Sequence, residues 1–308
     1  MTLSIAMTTY NGGSFLRKQL DSILNQTLTM WELIICDDCS TDDTWQILDE
    51  YRQRDCRIRI FKNNCNIGYL RNFEKAISLC SGDYIALCDQ DDIWLDNHLQ
   101  ILFDNINGVT AAFGNAVIID ENGIINGELL SNRERYFVDG NNEAKLTRIL
   151  FYGNPFQGTS SLYNKDIFKY ALPIPDGVEY HDAWFASVAC CVNGLNYTYD
   201  VVTKYRLYGN NTSGSHSWNL WKQILNSFQR KGWKTDRIVF CDELLKRINN
   251  MSNAMRRIIV DAKSFHSNRL NGKRIKTIVS TIYNYKKIYA TNSYKHIIAR
   301  CINILING

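Results

Sequence analysis

Short apolar runs alternate with amphipathic segments through the first third of the chain. Four runs are typical of buried strands: residues 3–10, Trp31–Cys36, Ile58–Phe61 and Tyr84–Cys88. The segments between them carry apolar residues at helical spacing. This strand–helix repeat predicts a doubly wound, mostly parallel sheet flanked by helices, as in Rossmann-like α/β proteins.

Later segments are more varied. The pattern predicts a helix over 98–106, strands at 110–113, 116–120, 197–200 and 201–205, polar loops over 121–142 and 206–215, and a helix that starts at 179. A turn and a strand are expected within 154–163.

Polar residues follow three of the four early strands, at Asn11, at Asp37-Asp38 and at Asp89-Gln90-Asp91-Asp92. Ligands of parallel sheets bind at the carboxyl ends of the strands, so these loops are expected to share one crevice. Clustered carboxylates suit Mg²⁺ or Mn²⁺ bridging to a diphosphate. The alternative is an acidic turn before a helix. Neither GxGxxG nor a P-loop is present.

Cysteine usage and hydropathy bear on the compartment. The chain has 308 residues and 10 cysteines, and its one CxxC, Cys36 with Cys39, has no second pair at zinc spacing. Free thiols in a reducing cytosol are therefore expected. The start lacks a basic segment typical of a signal peptide. No apolar run reaches the length of a membrane-spanning helix.

Charge divides the chain into an acidic body and a basic tail. From Ser217 onward we count 18 Lys and Arg against 4 Asp and Glu, a net +14, so the body carries −10. An apolar stripe from Ile275 to Tyr289 lies between basic residues, which is typical of a helix on an anionic membrane. The alternative is a helix packed on the body. No nucleic-acid-binding module accompanies the tail.

Five motifs occur in an order that resembles family 2 glycosyltransferases of the GT-A fold, over residues 3–215. They are Ser4–Asn11, Asp37–Asp42, Asn66–Gly68 with Arg71-Asn72, Gly82–Asp92, and His181-Asp182-Ala183-Trp184. The resemblance is greatest to the bacterial rhamnosyltransferase-like subgroup of surface-polysaccharide synthesis. It implies a GT-A domain over 1–216 and leaves 217–308 as a basic helical extension.

The resemblance implies roles for the nucleotide-sugar site. Thr8 and Tyr10 would flank the base, and Asp38 would accept a hydrogen bond from a pyrimidine N–H. Arg71 would lie near the diphosphate, and Asp89 would face the ribose. Two alternatives remain: Tyr10 as a core aromatic and Asp38 as a cap of the helix after it.

Asp91 would ligate the metal, Mg²⁺ or Mn²⁺, and Asp92 would either assist it or cap the following helix. Relatives of this subgroup often carry His where this chain has Tyr208. Tyrosine is a poor ligand for these ions at neutral pH, so Asp91, water and substrate would hold the metal. Arg206 is the candidate for part of the phosphate neutralisation.

Asp182 matches the family's general base, at a helix start where ionised carboxylates are favoured. His181 is a candidate for orienting Asp182 or contacting the acceptor. Trp184 is a candidate for stacking on the acceptor sugar, with a core position as the alternative. In-line attack with one base gives inversion.

We therefore expect transfer of a sugar from dTDP-L-rhamnose or a UDP-hexose to a lipid-linked oligosaccharide in O-antigen synthesis. The expected location is cytoplasmic, peripheral on the inner face of the bacterial cell membrane. A nucleotidyltransferase would need a Gly-rich basic loop after the first strand, and Asn11-Gly12-Gly13 with Arg17 and Lys18 is a poor version. A non-catalytic carbohydrate-binding protein is a further alternative. It would be expected to lack Asp182 or the carboxylates of Asp89–Asp92, and all of these are present.

Overall fold

The computed structural model describes residues 2–132, 139–208 and 233–288, together with 301, 304 and 305. Its strands are β1 (Leu3–Thr9), β2 (Trp31–Asp37), β3 (Ile58–Lys62), β4 (Tyr84–Cys88), β5 (Ile93–Trp94), β6 (Ala111–Ile119), β7 (Ile125–Leu129), β8 (Ser161–Asn164) and β9 (Leu195–Arg206). Its helices are α1 (Gly13–Leu24), α2 (Thr44–Arg54), α3 (Tyr69–Leu79), α4 (His98–Asn105), α5 (Asn142–Phe151), α6 (Phe168–Ala171), α7 (His181–Val192), α8 (Trp233–Arg247), α9 (Asn253–Leu270) and α10 (Arg274–Ile288).

One sheet contains these strands, in the order β3-β2-β1-β4-β8-β6-β9-β5, with β7 paired to β6. The first four strands are mutually parallel. β8 then runs antiparallel to both of its neighbours, β4 and β6, whereas β9 is parallel to β6. The predicted Rossmann-like α/β sheet with flanking helices is confirmed.

The central strand β1 is buried along its whole length. Parallel strands covered on both faces are expected to be largely apolar, which explains the presence of Leu3, Ile5, Ala6 and Met7 in this strand. Gly82 permits the close approach of the segment before β4, because a Cβ at this position would lie 2.7 Å from the Ser4 nitrogen. All ten cysteines are free thiols, as predicted.

The later strands differ from the sequence-based expectation in continuity. The two strands expected between 110 and 120 are one strand, β6, whose register shifts around Asn115. The two expected between 197 and 205 are likewise one strand, β9. Part of the expected polar loop forms β7. Residues 133–138 of that loop lie outside the described residues.

The described chain forms two compact units. The first contains the sheet and comprises the described residues up to 132, Phe156–Ile174 and Asn193–Tyr208. The second is helical and comprises Asp139–Pro155, Pro175–Val192 and the described residues from 233 onward. The predicted domain boundary at 216/217 lies outside the described residues and stays a prediction.

Aromatic and histidine contacts hold the helical unit together. Phe151 of α5 packs against Phe265 of α9, with ring centroids 5.3 Å apart. The imidazole of His266 is hydrogen-bonded through Nε2 to the Leu150 carbonyl at 2.7 Å. Helices of the tail are therefore packed with α5 and α7 in one unit. Among the described helices, none combines the length and hydropathy that crossing a bilayer requires.

Candidate functional site

Hydrogen bonds join the loops that follow β1 and β2. The Asn11 N–H donates to Ser40 Oγ at 2.9 Å, and the Thr41 N–H donates to Asn11 Oδ1 at 2.9 Å. Buried Asp37 accepts from Thr9 Oγ1 at 3.0 Å. Asn11 has φ of +48°, a left-handed conformation that asparagine tolerates better than most residues. The two loops are thus fixed to each other.

The loop after β4 joins them through Gln90. Its Oε1 accepts the Tyr10 N–H at 2.9 Å, and its Nε2 donates to the Tyr10 carbonyl at 3.1 Å. A Cβ at Gly12 would lie 2.2 Å from Gln90 Oε1, and one at Gly13 would lie 1.8 Å from Asp43 Oδ1. The two glycines therefore permit the three loops to meet at one edge of the sheet.

The residues expected to flank the base differ in exposure. Thr8 is buried and pairs in register with Cys36 of β2. Tyr10 is 47% exposed, which favours a ring available to a ligand over the alternative of a core aromatic. Their contact with a base stays a prediction.

Asp38 caps a helix. Its Oδ1 accepts from Asn63 Nδ2 at 2.8 Å and from the Ile67 N–H at 2.9 Å, and its Oδ2 accepts from the Gly68 N–H at 2.9 Å. The capped helix is α3, which begins after Gly68, and not α2, which follows Asp38 directly. A carboxylate has about four acceptor positions, so one remains for a pyrimidine N–H. That role stays a prediction.

Arg71 lies in the first turn of α3. Its Nη1 donates to Glu74 Oε1 at 2.6 Å and to the Ile174 carbonyl at 2.9 Å. Glu74 compensates part of its charge, and the guanidinium ties the segment after α6 to α3. Its predicted place near the diphosphate is untested by these contacts.

The acidic cluster after β4 is incompletely compensated by the described chain. Burial raises the pKa of Asp91, and burial together with Asp91 and Asp89 raises the pKa of Asp92 well above its usual range. Asp92 Oδ1 accepts the Arg206 N–H at 2.9 Å. Its Oδ2 is buried and has no hydrogen-bond partner among the described residues. A bound cation would relieve this accumulation of acidic groups.

These carboxylates fit a cation that is shared with a substrate. Within the described ranges, no group of three or more His, Cys, Asp or Glu side chains is placed to hold a metal ion by itself. Mg²⁺ is commonly bound through one or two carboxylates plus substrate phosphates. Asp91 therefore fits a site that a diphosphate completes, in preference to a closed all-protein site.

Arg206 is fully buried. Its Nε donates to the Asp91 carbonyl at 2.6 Å, and its Nη1 donates to the carbonyls of Asp120 and Glu121 at 2.9 and 2.8 Å. The Phe15 ring centroid lies 4.6 Å from the guanidinium carbon. These contacts give Arg206 a structural role beside Asp91. Its predicted part in phosphate neutralisation stays a prediction.

Asp182, the second residue of α7, belongs to the helical unit. Its Oδ1 accepts the Ala183 N–H at 2.6 Å. Burial raises the pKa of Asp182 to about 6, while the Ala183 N–H, the Arg237 guanidinium and the Asn154 side chain act to lower it. The carboxylate is therefore ionised at neutral pH. Its expected proximity to the strand-end loops stays a prediction.

Helix α8 lies beside the start of α7. The Glu179 N–H donates to Asp236 Oδ1 at 3.3 Å. Arg237 is buried, with Nη1 3.7 Å from Asp236 Oδ2 and its guanidinium carbon 4.5 Å from the Phe240 ring centroid. The tail thus supplies a fixed positive charge to the surroundings of Asp182.

The neighbours of Asp182 on α7 are both buried. Burial lowers the pKa of His181 to about 3, so its imidazole is neutral at physiological pH. Trp184 is fully buried and meets Phe240 edge to face, with ring centroids 5.5 Å apart. This position favours the core alternative for Trp184. The acceptor roles proposed for both residues stay predictions.

Two side chains at the strand-end loops and two beside Asp182 have contacts that sequence patterns did not reveal. Gln90 stands inside a motif but carries no charge, and the hydroxyl of Tyr208 donates to Asp91 Oδ2 at 2.8 Å. Asn154 and Arg237 are distant from Asp182 along the chain, and neither has a distinctive local pattern. Only the tertiary fold identifies them.

A model of the family described as Glycosyl transferase family 2 matches residues 4–170, more than half of the chain. The match includes all three strand-end loops. Asp182 and the tail lie beyond it.

Two Escherichia coli proteins are similar in sequence. WfgD, a UDP-Glc:alpha-D-GlcNAc-diphosphoundecaprenol beta-1,3-glucosyltransferase, is 34% identical over 125 residues, which cover 40% of this chain and 49% of WfgD. WfaP, which has the same activity name, is 29% identical over 244 residues, which cover 78% of this chain and 90% of WfaP. The chain therefore spans about half of WfgD and most of WfaP.

The fold is similar to that of S. aureus TarS 1-349, whose crystal structure contains UDP-GlcNAc. The TM-score is 0.65 at 17% identity, and the match covers 99% of this chain and 88% of that one. Together with the sheet order, this likeness confirms the GT-A fold.

Proposed function

This chain belongs to glycosyl transferase family 2, and from that premise we propose that it is an inverting glycosyltransferase acting on a pyrimidine-nucleotide sugar. The observation that supports this most strongly is the meeting of the loops after β1, β2 and β4, held by Gln90 and Asn11. In open α/β sheets this edge is where ligands bind.

UDP-glucose is the donor we propose first, because WfgD and WfaP are named for it. The second donor is dTDP-L-rhamnose, which the resemblance to the rhamnosyltransferase-like subgroup implies. Uracil and thymine present the same ring N–H, so recognition by Asp38 does not distinguish them. The sugar pocket must do so, and one methyl or hydroxyl group is worth only a few kcal/mol there.

For the acceptor, we propose a lipid-linked saccharide of O-antigen or related surface-polysaccharide synthesis. Both named relatives act on an N-acetylglucosamine diphosphoundecaprenol. Because such acceptors remain in the membrane, the location that we propose is the inner face of the bacterial cell membrane.

Each step of the proposed reaction has a residue assigned to it. Thr8, Tyr10 and Asp38 hold the base, and Asp89 contacts the ribose. Asp182 takes the proton of the acceptor hydroxyl. At the same time the acceptor oxygen bonds to the anomeric carbon of the donor sugar, and the bond from that carbon to the diphosphate breaks. A divalent cation at Asp91 would stabilise the charge on the departing diphosphate.

The test is a donor panel with the full-length protein, Mn²⁺ or Mg²⁺ and a synthetic lipid-diphosphate sugar. Released nucleotide and the mass of the lipid product are both measured. We expect one donor to give a product one sugar heavier, with UDP-glucose and dTDP-L-rhamnose as the main arms. A nucleotidyltransferase would instead release pyrophosphate from a nucleoside triphosphate and a sugar 1-phosphate, which a separate arm of the panel supplies. Pyrophosphate in that arm together with absence of any product with every nucleotide sugar would contradict transfer.

The pH profile tests the base. Because the pKa of Asp182 is about 6, kcat/KM for the acceptor should be constant above neutrality and fall as pH drops through 6, since the protonated carboxyl cannot take a proton. Initial rates between pH 5 and 8 measure this. A constant rate down to pH 5 would contradict the assignment.

Helix α10 supports the proposed membrane contact because its apolar face is exposed. Ile275, Val279 and Ile282 are 77%, 62% and 51% exposed, whereas Thr277 and Thr281 on the other face are buried. This inverts the usual pattern of a helix at a protein surface. The N-terminal end of this helix carries three exposed basic residues, Lys273, Arg274 and Lys276. Apolar side chains beside cations fit an anionic bilayer.

We expect the protein to sediment with vesicles containing phosphatidylglycerol and much less with phosphatidylcholine alone. Substituting Lys273, Arg274 and Lys276 with Gln should weaken binding roughly 100-fold, because each basic residue contributes about 1 kcal/mol at such a surface. Ile275→Ser with Val279→Ser should also weaken it.

The matched control is Arg52→Gln with Arg54→Gln, which removes exposed charge from α2 of the sheet unit. It should bind vesicles like the wild type. Equal loss of vesicle binding in the tail variant and in this control would indicate a general effect of protein charge. A different result is also informative: the wild type does not bind vesicles but forms dimers, and Ile275→Ser with Val279→Ser dissociates them. That result would assign the apolar face to a second copy of the chain.

A further inference from the structure

Tyr208 contacts the proposed metal ligand directly. Its hydroxyl donates to Asp91 Oδ2 at 2.8 Å, and its ring packs on Phe15 with centroids 5.0 Å apart. Two residues earlier, Arg206 Nε donates to the Asp91 carbonyl at 2.6 Å. The chain that leaves β9 therefore fixes both the backbone and the carboxylate of residue 91.

We propose that Tyr208 is a positioning residue that fixes the Asp91 carboxylate for a cation shared with the nucleoside diphosphate. This inference depends on the proposed function. The phenol hydroxyl takes one of the roughly four acceptor positions of the Asp91 carboxylate, so the others would remain for the cation. Hydrogen bonds from a second residue orient metal-ligating carboxylates and commonly change metal affinity 10- to 100-fold.

The side-chain chemistry explains why tyrosine acts on the ligand and not as a ligand. A phenol keeps its proton at neutral pH and so donates a hydrogen bond. An imidazole at the same position has a lone pair for the metal itself. This chain therefore offers few protein ligands for the ion, in agreement with the absence of a three-residue metal-binding group among the described residues.

One consequence is that metal and nucleotide bind together. A site with one positioned carboxylate is expected to hold Mn²⁺ weakly until phosphate oxygens complete the coordination. Because the protein supplies few of the metal ligands, tight binding of Mn²⁺ should require the nucleotide.

The test measures Mn²⁺ binding to the full-length protein, with and without UDP, from the electron paramagnetic resonance signal of free Mn²⁺. Wild type should bind Mn²⁺ at least tenfold more tightly when UDP is present. Tyr208→Phe should weaken the binding with UDP by 10- to 100-fold. Tyr199→Phe, which removes the hydroxyl of an exposed tyrosine in β9, the strand that precedes Tyr208, should match the wild type.

Tyr208→His is a second variant, in which a hydrogen-bond donor is replaced by a side chain that can bind the metal itself. It should raise Mn²⁺ affinity in the absence of UDP, and unchanged affinity would contradict the placement of Tyr208 beside the ion. Equal binding by wild type and Tyr208→Phe would overturn the inference, and sugar transfer by the wild type would show that the proposed function still holds. Absence of Mn²⁺ binding to wild type with UDP would overturn the inference together with the metal assignment to Asp91.

Discussion

Asp182→Asn should reduce kcat by about 10²- to 10⁴-fold, the usual contribution of a general base. Asparagine keeps the size of the side chain and an oxygen that can accept the Ala183 N–H. It cannot take the acceptor proton. The KM for the donor should change little, because the residue is assigned to the acceptor. Steady-state rates with the donor that the panel identifies measure both parameters.

The matched control is Asp176→Asn, which removes an exposed carboxylate shortly before α7. It should retain wild-type turnover. Circular dichroism should show both variants folded. Near-normal kcat in a folded Asp182→Asn protein would remove Asp182 from the base role and leave the donor site untouched.

Asp91→Asn should reduce kcat/KM by at least about 100-fold, because loss of a metal contact removes several kcal/mol of stabilisation from the departing diphosphate. Asparagine also lacks the charge that attracts a cation. Unlike the Asp182 variant, this one should regain part of its rate as Mn²⁺ is increased. Rates measured over a range of Mn²⁺ concentrations distinguish the two.

Asp104→Asn is the control for the acidic cluster, since Asp104 is an exposed carboxylate on α4. Its rate and its Mn²⁺ dependence should match the wild type. If Asp91→Asn shows the same rate as the wild type at every Mn²⁺ concentration, the metal does not act through Asp91.

Local patterns were sufficient for the first half of the sheet. Largely apolar runs ending in polar residues correctly predicted β1 to β4 and the edge at which the loops after β1, β2 and β4 meet. They did not show how those loops are held. The pair of hydrogen bonds between Gln90 and Tyr10 joins positions eighty residues apart in sequence, and no local period encodes that pairing.

The alternative role of Asp38 as a helix cap shows a second limit of prediction from sequence. Its position before a helix suggested a cap for α2, yet its carboxylate caps α3. The capped helix begins after β3, which lies beside β2 in the sheet. Capping across strands depends on tertiary arrangement, so the position of Asp38 in the sequence did not identify α3 as the helix that it caps.

The tail shows a third limit. Its periodicity and charge predicted basic helices, and α8, α9 and α10 are helical. Its involvement with α7 was not predictable, because burial of Arg237 beside Asp236 and Phe240 depends on contacts between distant segments.

Because Arg237 acts to lower the pKa of Asp182, exchange of the C-terminal segment between relatives would change the titration of that carboxylate. A chimaera that retains residues 1–216 but receives a tail without this arginine would keep its carboxylate and lose the nearby cation. Its optimum would move toward alkaline pH. Recombination that exchanges the tail among such enzymes would therefore have to supply a replacement for that charge.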